Sequence, residues 1–341
     1  MILVTGGTGF LGAPLVRKLV ELGHYNIRCL VRPGTSADIL RPILEGLPPA
    51  EVEIFPASFN DRAALKAAFH GVEIVYHAAA SKSGSFPSMV ANTVVGSENI
   101  YRACVEARVS RCVLVSSFGV IGVATLPKGA WVNEKVPMEA HPERRDPYSF
   151  SKHRQETLAW EYAKREGLPL VVVRPGVIFG PGGTVMTPRI GMKVFGVFLH
   201  LGGRNQIPLT YVENCAEAIA LAGTVPGIVG EIFCIVDDDL PVSRYLLKRY
   251  DREVTPSPIV RIPYPLLKVL SKCNVWYTNR TKGHLPVVFS PYDLGSIWKG
   301  HRFSNKKAKE QLGWRPKVSM SDALKITFAS LARAEKQKTA N

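Results

Sequence analysis

The 341-residue chain has no apolar run near the roughly 20 residues that a bilayer-spanning helix requires. Its longest candidate, Val194 to Leu201, is broken by Gly196 and His200. Ile2-Leu3-Val4-Thr5 already reads as a buried strand, with no stretch before it for a secretory leader. A cytoplasmic location is therefore the expectation. Paired cysteines are lacking as well. Cys29, Cys104, Cys112, Cys215, Cys234 and Cys273 are scattered, with no C-x-x-C pair and no metal-ligand spacing. That excludes an obvious disulfide framework or metal centre and predicts reduced thiols. No internal repeat and no low-complexity tract is present. Acidic residues run short in one region only. From Pro241 to Asn341, 20 Lys/Arg stand against 6 Asp/Glu, a balance of +14 within a total of +15. Such a lobe can attract an anionic small molecule, a membrane surface or nucleic acid, or can simply be a solvated, lysine-rich face.

What is present is ordinary for a globular α/β protein: 46% hydrophobic and 21% charged residues. The first half alternates short apolar runs with amphipathic stretches, the pattern of a parallel sheet wrapped by helices. Strands are expected at Ile2–Thr5, Ile27–Val31, Val52–Phe55, Ile74–His77, Cys112–Ser116 and Leu170–Arg174. Most show little alternation, as when both faces are covered. Helices are expected at Leu11–Leu22, from a cap at Asp61 to Phe69, at Ala91–Ala107 and at Tyr148–Arg165. After Gly176 the alternation weakens, with one βα-like return at Glu213–Ala222 and Ile232–Val236.

Ile2-Leu3-Val4-Thr5-Gly6-Gly7-Thr8-Gly9-Phe10-Leu11-Gly12 sets three glycines between a strand and a helix. Gly6 permits the tight turn, Gly9 lets a pyrophosphate approach the backbone, and Gly12 lets helix and sheet pack closely. Free N–H groups and the helix dipole then face the phosphates. The context is the one a dinucleotide fingerprint demands. After the second strand, where a carboxylate would serve the ribose of NAD, stands Arg32 in Val31-Arg32-Pro33-Gly34. A guanidinium suits a 2′-phosphate, so NADP is the expected cofactor, with NAD as the alternative. The expected architecture is a doubly wound Rossmann domain over residues 1–175, with a return segment at about 206–237. Residues 176–205 and 238–333 would form a smaller substrate lobe, and 334–341 a frayed tail.

Tyr148-Ser149-Phe150-Ser151-Lys152 is a Y-x-x-x-K, and residues i and i+4 share one face of a helix. An ammonium beside the phenol favours its ionised form, drawing its pKa down from about 10. That suits a group trading a proton with an alcohol or carbonyl. Val113-Leu114-Val115-Ser116-Ser117 ends a buried strand in two hydroxyls, placed to donate to a developing oxyanion.

Gly6–Gly12, Val75-Tyr76-His77-Ala78-Ala79-Ala80, Asn92, Ser116-Ser117, Tyr148–Lys152 and the run from Arg174 to Pro181 together resemble the extended short-chain dehydrogenases/reductases. The likeness runs in order to about residue 222 and returns over Phe303–Leu324. It implies Ser117, Tyr148 and Lys152 as the catalytic set, with Gly122 fixing the alignment on Ser117 rather than Ser116. It also implies that Lys152 holds the nicotinamide ribose and that Asn92 orders the site. Pro175 and Val177 would border the nicotinamide, and Phe10, Leu11, Phe59 and Ala78, Ala79 and Ala80 would contact the dinucleotide. His77 would be a packed histidine. Ser58 stands where the family usually has an acidic acceptor for the adenine amine. A homodimer through the helices after Asn92 and Tyr148 is a further implication.

The family's nucleotide-sugar enzymes usually carry an asparagine where this chain has Val177, and an arginine that Gln206–Asn214 lacks. Both departures look more like the branch of 3β-hydroxysteroid dehydrogenases and dihydroflavonol-type reductases. The expected reaction is hydride transfer to or from a secondary alcohol or ketone on a hydrophobic small molecule. Beside Ser117 and Tyr148, Met186 and Phe195 would contact it, within a lining of Phe179, Met192 and Phe198 that could equally be core. Two alternatives stand: a nucleotide-sugar epimerase or dehydratase with retained NAD, and a non-catalytic dinucleotide sensor. No nucleic-acid partner is expected, and peripheral membrane contact through the basic lobe is left open.

Overall fold

The computed structural model describes residues 1–81, 84–281 and 290–340. Parallel strands β1 (Ile2–Thr5), β2 (Asn26–Val31), β3 (Glu51–Pro56), β4 (Ile74–His77) and β5 (Arg111–Val115) lie within one or two residues of where the apolar runs put them. The short β6 (Trp131–Val132) precedes β7 (Leu170–Pro175) and β8 (Val177–Phe179). Then follow β9 (Gly191–Val194), β10 (Val197–His200), β11 (Leu209–Tyr211), β12 (Ile232–Ile235), β13 (Ile259–Arg261) and β14 (Arg302–Phe303). Helices are α1 (Gly12–Glu21), α2 (Arg41–Leu44), α3 (Arg62–Ala68), α4 (Phe86–Val90), α5 (Gly96–Glu106) and α6 (Pro147–Glu166). The second half adds α7 (Val212–Thr224), α8 (Ser243–Glu253), α9 (Tyr264–Arg280), α10 (Pro291–Ile297), α11 (Lys306–Gln311) and α12 (Met320–Ala340).

The main sheet has the order β12-β7-β5-β4-β1-β2-β3. The reversal between β1 and β4 is the switch point at which such sheets bind ligands. Strand side chains alternate between two cores. Val4, Cys29, Val113 and Val171 pack with Leu15 and Leu19 of α1 and Ile219 of α7. Leu3, Leu30, Val75, Leu114 and Val172 pack with Leu65 of α3, Ile100 of α5 and Ala159 of α6. The sheet is thus covered on both faces, which explains the unbroken apolar strands.

Outside it, β10 pairs with β9 and β13, and α9 and α10 close a small core of Leu201, Leu267, Leu294 and Trp298. Helices beyond residue 238 also contribute to the large core. Leu246 and Leu247 of α8, with Ala308, Leu312, Trp314, Leu324 and Phe328, belong to the same core as α1 and α7. The apolar positions of α8, α11 and α12 return to the large core, while α9 and α10 pack round the small one. The tail read as frayed continues as α12 through Ala340, and Asn341 lies outside the described residues. Where one helix was expected from Ala91, a π-helical turn at Ala91–Val95 precedes α5. Among the described residues no helix is long and apolar enough to cross a membrane.

Candidate active site

Gly6 takes φ +72°, and a Cβ there would lie 3.1 Å from Ala79. A Cβ on Gly12 would come within 1.9 Å of the Gly6 carbonyl oxygen, so no other residue fits that start of α1. Gly9 is exposed at the outer edge of this turn, its N–H donating back to Gly6 O at 3.0 Å. Ala79 N donates to Thr5 Oγ1 at 3.3 Å, which draws the Ala78–Ala80 strand end alongside the glycines. This is a cradle open to a phosphate, and it fits a dinucleotide. Leu11 itself is buried in the core, so only its backbone can face such a ligand. Phe10 sits so close to Gly183 that a Cβ on Gly183 would meet its ring at 2.5 Å.

Arg32 is exposed at the end of β2 and has no ion-pair partner among the described residues. Ser58 is exposed too, its hydroxyl accepting from Asn60 N at 3.3 Å. Phe59 is half-buried instead, edge-on to His77 at 6.1 Å and tight against Gly96, where a Cβ would lie 3.0 Å from its ring. Asn92 does not reach the polar interior. It is exposed on the π turn and donates to Ser88 Oγ at 3.2 Å.

Asp146 caps α6, accepting from Ser149 N at 3.0 Å and from Ser149 Oγ at 2.6 Å. The next turn carries Tyr148 and Lys152 on one side of the helix, toward the end of β5. Ser117 lies near enough to the Tyr148 side chain to pull its pKa down. Ser116 is not available for that role. It is buried, and its hydroxyl donates to Glu156 Oε2 at 2.5 Å. Glu156 also receives the Arg174 guanidinium, at 2.5 Å from Nη2, and both side chains are buried. Of two adjacent hydroxyls, therefore, one anchors a buried ion pair and the other faces the tyrosine. Gly119 lets the turn after β5 pack against the start of α6: a Cβ there would lie 2.8 Å from Ser149 Oγ.

Lys152 Nζ donates to Val115 O at 2.6 Å and to Gln155 Oε1. Gln155 Nε2 donates in turn to Ser97 Oγ at 2.6 Å. His77 is fully buried, sharing hydrogen bonds of 2.7 Å with Thr5 Oγ1 and with Ser97 Oγ. Ser97 Oγ also donates to Thr93 O, and Gln155 Nε2 lies 3.2 Å from His77 Nε2. The histidine is held neutral, its pKa pushed down to about 3 by burial first and by Lys152 second. One polar chain thus links the lysine to the strand that leads into the glycine cradle.

One expectation is reversed. The Tyr148 phenol is held above its ordinary range: burial raises it most, Ser117 pulls it back, and Asp146 adds to the rise. Desolvation of the phenolate outweighs the spacing of four residues. Phe195 also departs from expectation. It is fully exposed at the turn between β9 and β10, with φ +47°. Phe179 is core, while Met186 and Phe198 are half-buried against that core. Pro175 ends β7 buried, and Val177 N donates to Pro208 O at 2.6 Å.

Missed in the sequence were Thr5, Ser97, Gln155 and Glu156. Gln155 and Glu156 follow Lys152 by three and four residues, so polar groups on an otherwise buried helix face were the available signal. Missed too were two arginines near the start of α6. Arg145 pairs with Glu139 at 3.5 Å. Arg189 has no ion-pair partner among the described residues; burial chiefly, and Arg145 next, push its pKa down to about 10, while Asp146 opposes them.

The sequence pattern of the NAD dependent epimerase/dehydratase family matches residues 2–235. The chain belongs to this family. A 3beta-hydroxysteroid-dehydrogenase/decarboxylase, isoform 2, of Arabidopsis thaliana is 28% identical over 96% of the chain, which spans 61% of that protein's length. The 2-alkyl-3-oxoalkanoate reductase of Stenotrophomonas maltophilia is 28% identical over 97% of this chain and 99% of its own. Among solved structures, gox2253 superposes with a TM-score of 0.77 at 25% identity, covering 98% of both chains. The cradle and the family agree on a nicotinamide dinucleotide as cofactor.

Proposed function

We propose that this protein interconverts a secondary alcohol and a ketone on a hydrophobic small molecule, using a nicotinamide dinucleotide. The observation that carries this is the approach of Ser117 to Tyr148 at the end of β5, beside the glycine cradle. When bound, the dinucleotide supplies or takes up the hydride. The chain's own residues handle the oxygen. A phenol held above its ordinary pKa stays protonated at neutral pH, so Tyr148 is poised to give its proton to a carbonyl oxygen. Ser117 donates to the same oxygen as charge builds on it. Lys152, fixed by Val115 and Gln155, supplies a positive charge one helical turn away. Tyr148→Phe should lower turnover on a ketone panel by about a hundredfold or more while leaving dinucleotide affinity unchanged. Near-normal turnover would defeat the assignment.

NADP is the favoured cofactor. Arg32 is the cation at the end of β2, and neither it nor Ser58 offers a carboxylate to the ribose. Arg32→Ser should weaken NADPH binding about tenfold or more and barely touch NADH. Tighter NADH binding by the unaltered protein would reverse the reading.

The oxoalkanoate reductase among the relatives favours a substrate whose apolar body also carries an acidic group. Membership of the epimerase/dehydratase family gives a second reading, a nucleotide-sugar diphosphate. Preference for a hydrophobic keto acid over its methyl ester supports the first; thermal protection by UDP or dTDP supports the second.

A further inference from the structure

Helix α9 buries only one narrow face. Leu267 and Ser271 turn inward, toward the small core shared with Leu294 and Trp298. A second face is apolar and lies open. Leu266, Val269, Leu270, Trp276 and Tyr277 are 49, 57, 38, 66 and 47% exposed. With the exposed Cys273 they recur at intervals of three and four residues, and so fill an arc of about 120° over three turns. Single exposed apolar residues need no explanation, but a continuous stripe of this length does. The 17 residues of α9 contain Lys268, Lys272 and Arg280 and no Asp or Glu. Arg261 is exposed just before it, in the region that carries nearly all of the chain's positive charge.

We propose that α9 lies flat on an anionic lipid surface, its stripe inserted among the acyl chains and its lysines against the headgroups. Apolar side chains including tryptophan and tyrosine on one arc, with basic residues beside it, make the composition of an interfacial helix. Charge selects this occupant over others. A second copy docking through the same face would bring Lys268, Lys272 and Arg280 of both chains together. A nucleic acid would use the cations but leave the leucines and Val269 without partners. The proposal is independent of the catalytic reading, because its test needs no turnover.

The full chain is sedimented with phosphatidylcholine vesicles, with and without phosphatidylserine, over a range of salt. Binding should require phosphatidylserine and fall as salt rises. Val269→Glu with Trp276→Glu should weaken it at least tenfold, roughly, with thermal stability unchanged because both residues are exposed. Lys268→Gln with Lys272→Gln should weaken it about twenty-five-fold, at about fivefold for each cation near the surface. Trp276 emission should shift to the blue on binding and be lost from the difference spectrum in Trp276→Phe. No binding to phosphatidylserine vesicles would overturn the proposal, as would binding untouched by the α9 variants. Self-association abolished by Val269→Glu, without vesicle binding, would assign the face to a second copy. Duplex DNA binding that needs the lysines and ignores Val269→Glu would assign it to nucleic acid.

Discussion

The parallel sheet and the small lobe around α9 treat the same kinds of side chain differently. Leu114 and Val172 are wholly buried because helices cover both faces of their sheet. Leu266 and Val269 are of similar size, yet they stand in solvent because α9 packs on one side only. Polar groups follow the same division. The sheet encloses a glutamate, an arginine, a lysine and a histidine, each with partners, whereas Lys268 and Lys272 are exposed. Burial, then, follows the number of covering layers and not the residue's own preference. Where layers are complete, polarity must be satisfied internally; where one is missing, apolar surface is left for something outside the chain.

Breaking the most deeply enclosed pair tests this comparison hardest. Arg174→Met alone should cost about 3–5 kcal/mol in denaturant unfolding, since it strands the Glu156 carboxylate. Adding Glu156→Leu should recover most of that loss. A cost below 1 kcal/mol for the single variant, roughly, would mean the pair is not sealed from water. Next in size is the contrast between two leucines. Leu114→Ala should cost about 2–5 kcal/mol and Leu266→Ala no more than about 0.5. Comparable losses would show that α9 has a covering layer within the chain.

The smallest effect expected is one of pH. An unfolded histidine takes its proton near 6.5, but His77 does so only near 3. Between those values the unfolded chain binds more protons, so the contribution of His77 is complete above pH 6.5 and is lost as pH falls toward 3. At pH 5 the loss should be about 2 kcal/mol. Asp237, raised to about 6 chiefly by burial, works in the opposite sense, so the measurement is the difference in slope between the unaltered protein and His77→Asn. Equal slopes would place His77 in contact with water.

Much of the site was readable in the chain because its signals are local. A turn that must pass close to its own helix needs glycines at fixed places, and Gly6, Gly9 and Gly12 occupy them. Four residues of helix bring Tyr148 and Lys152 to one side whatever surrounds them. The exposure of Asn92 and Phe195 was not readable, for the complementary reason. A π turn re-aims the residues after Val90, and a hairpin tip carries Phe195 outward; neither has a mark in local hydrophobicity.

The amino-acid order alone therefore settled the strands, the glycine cradle and the helix bearing the tyrosine and lysine, since each depends on neighbours a few residues apart. Only the folded chain decided that Ser116 anchors a buried ion pair, that the Tyr148 phenol is harder to ionise than usual, that α12 packs with the large core, and that α9 presents an open apolar face. Those outcomes depend on packing between segments tens to hundreds of residues apart, and side-chain periodicity carries no record of it.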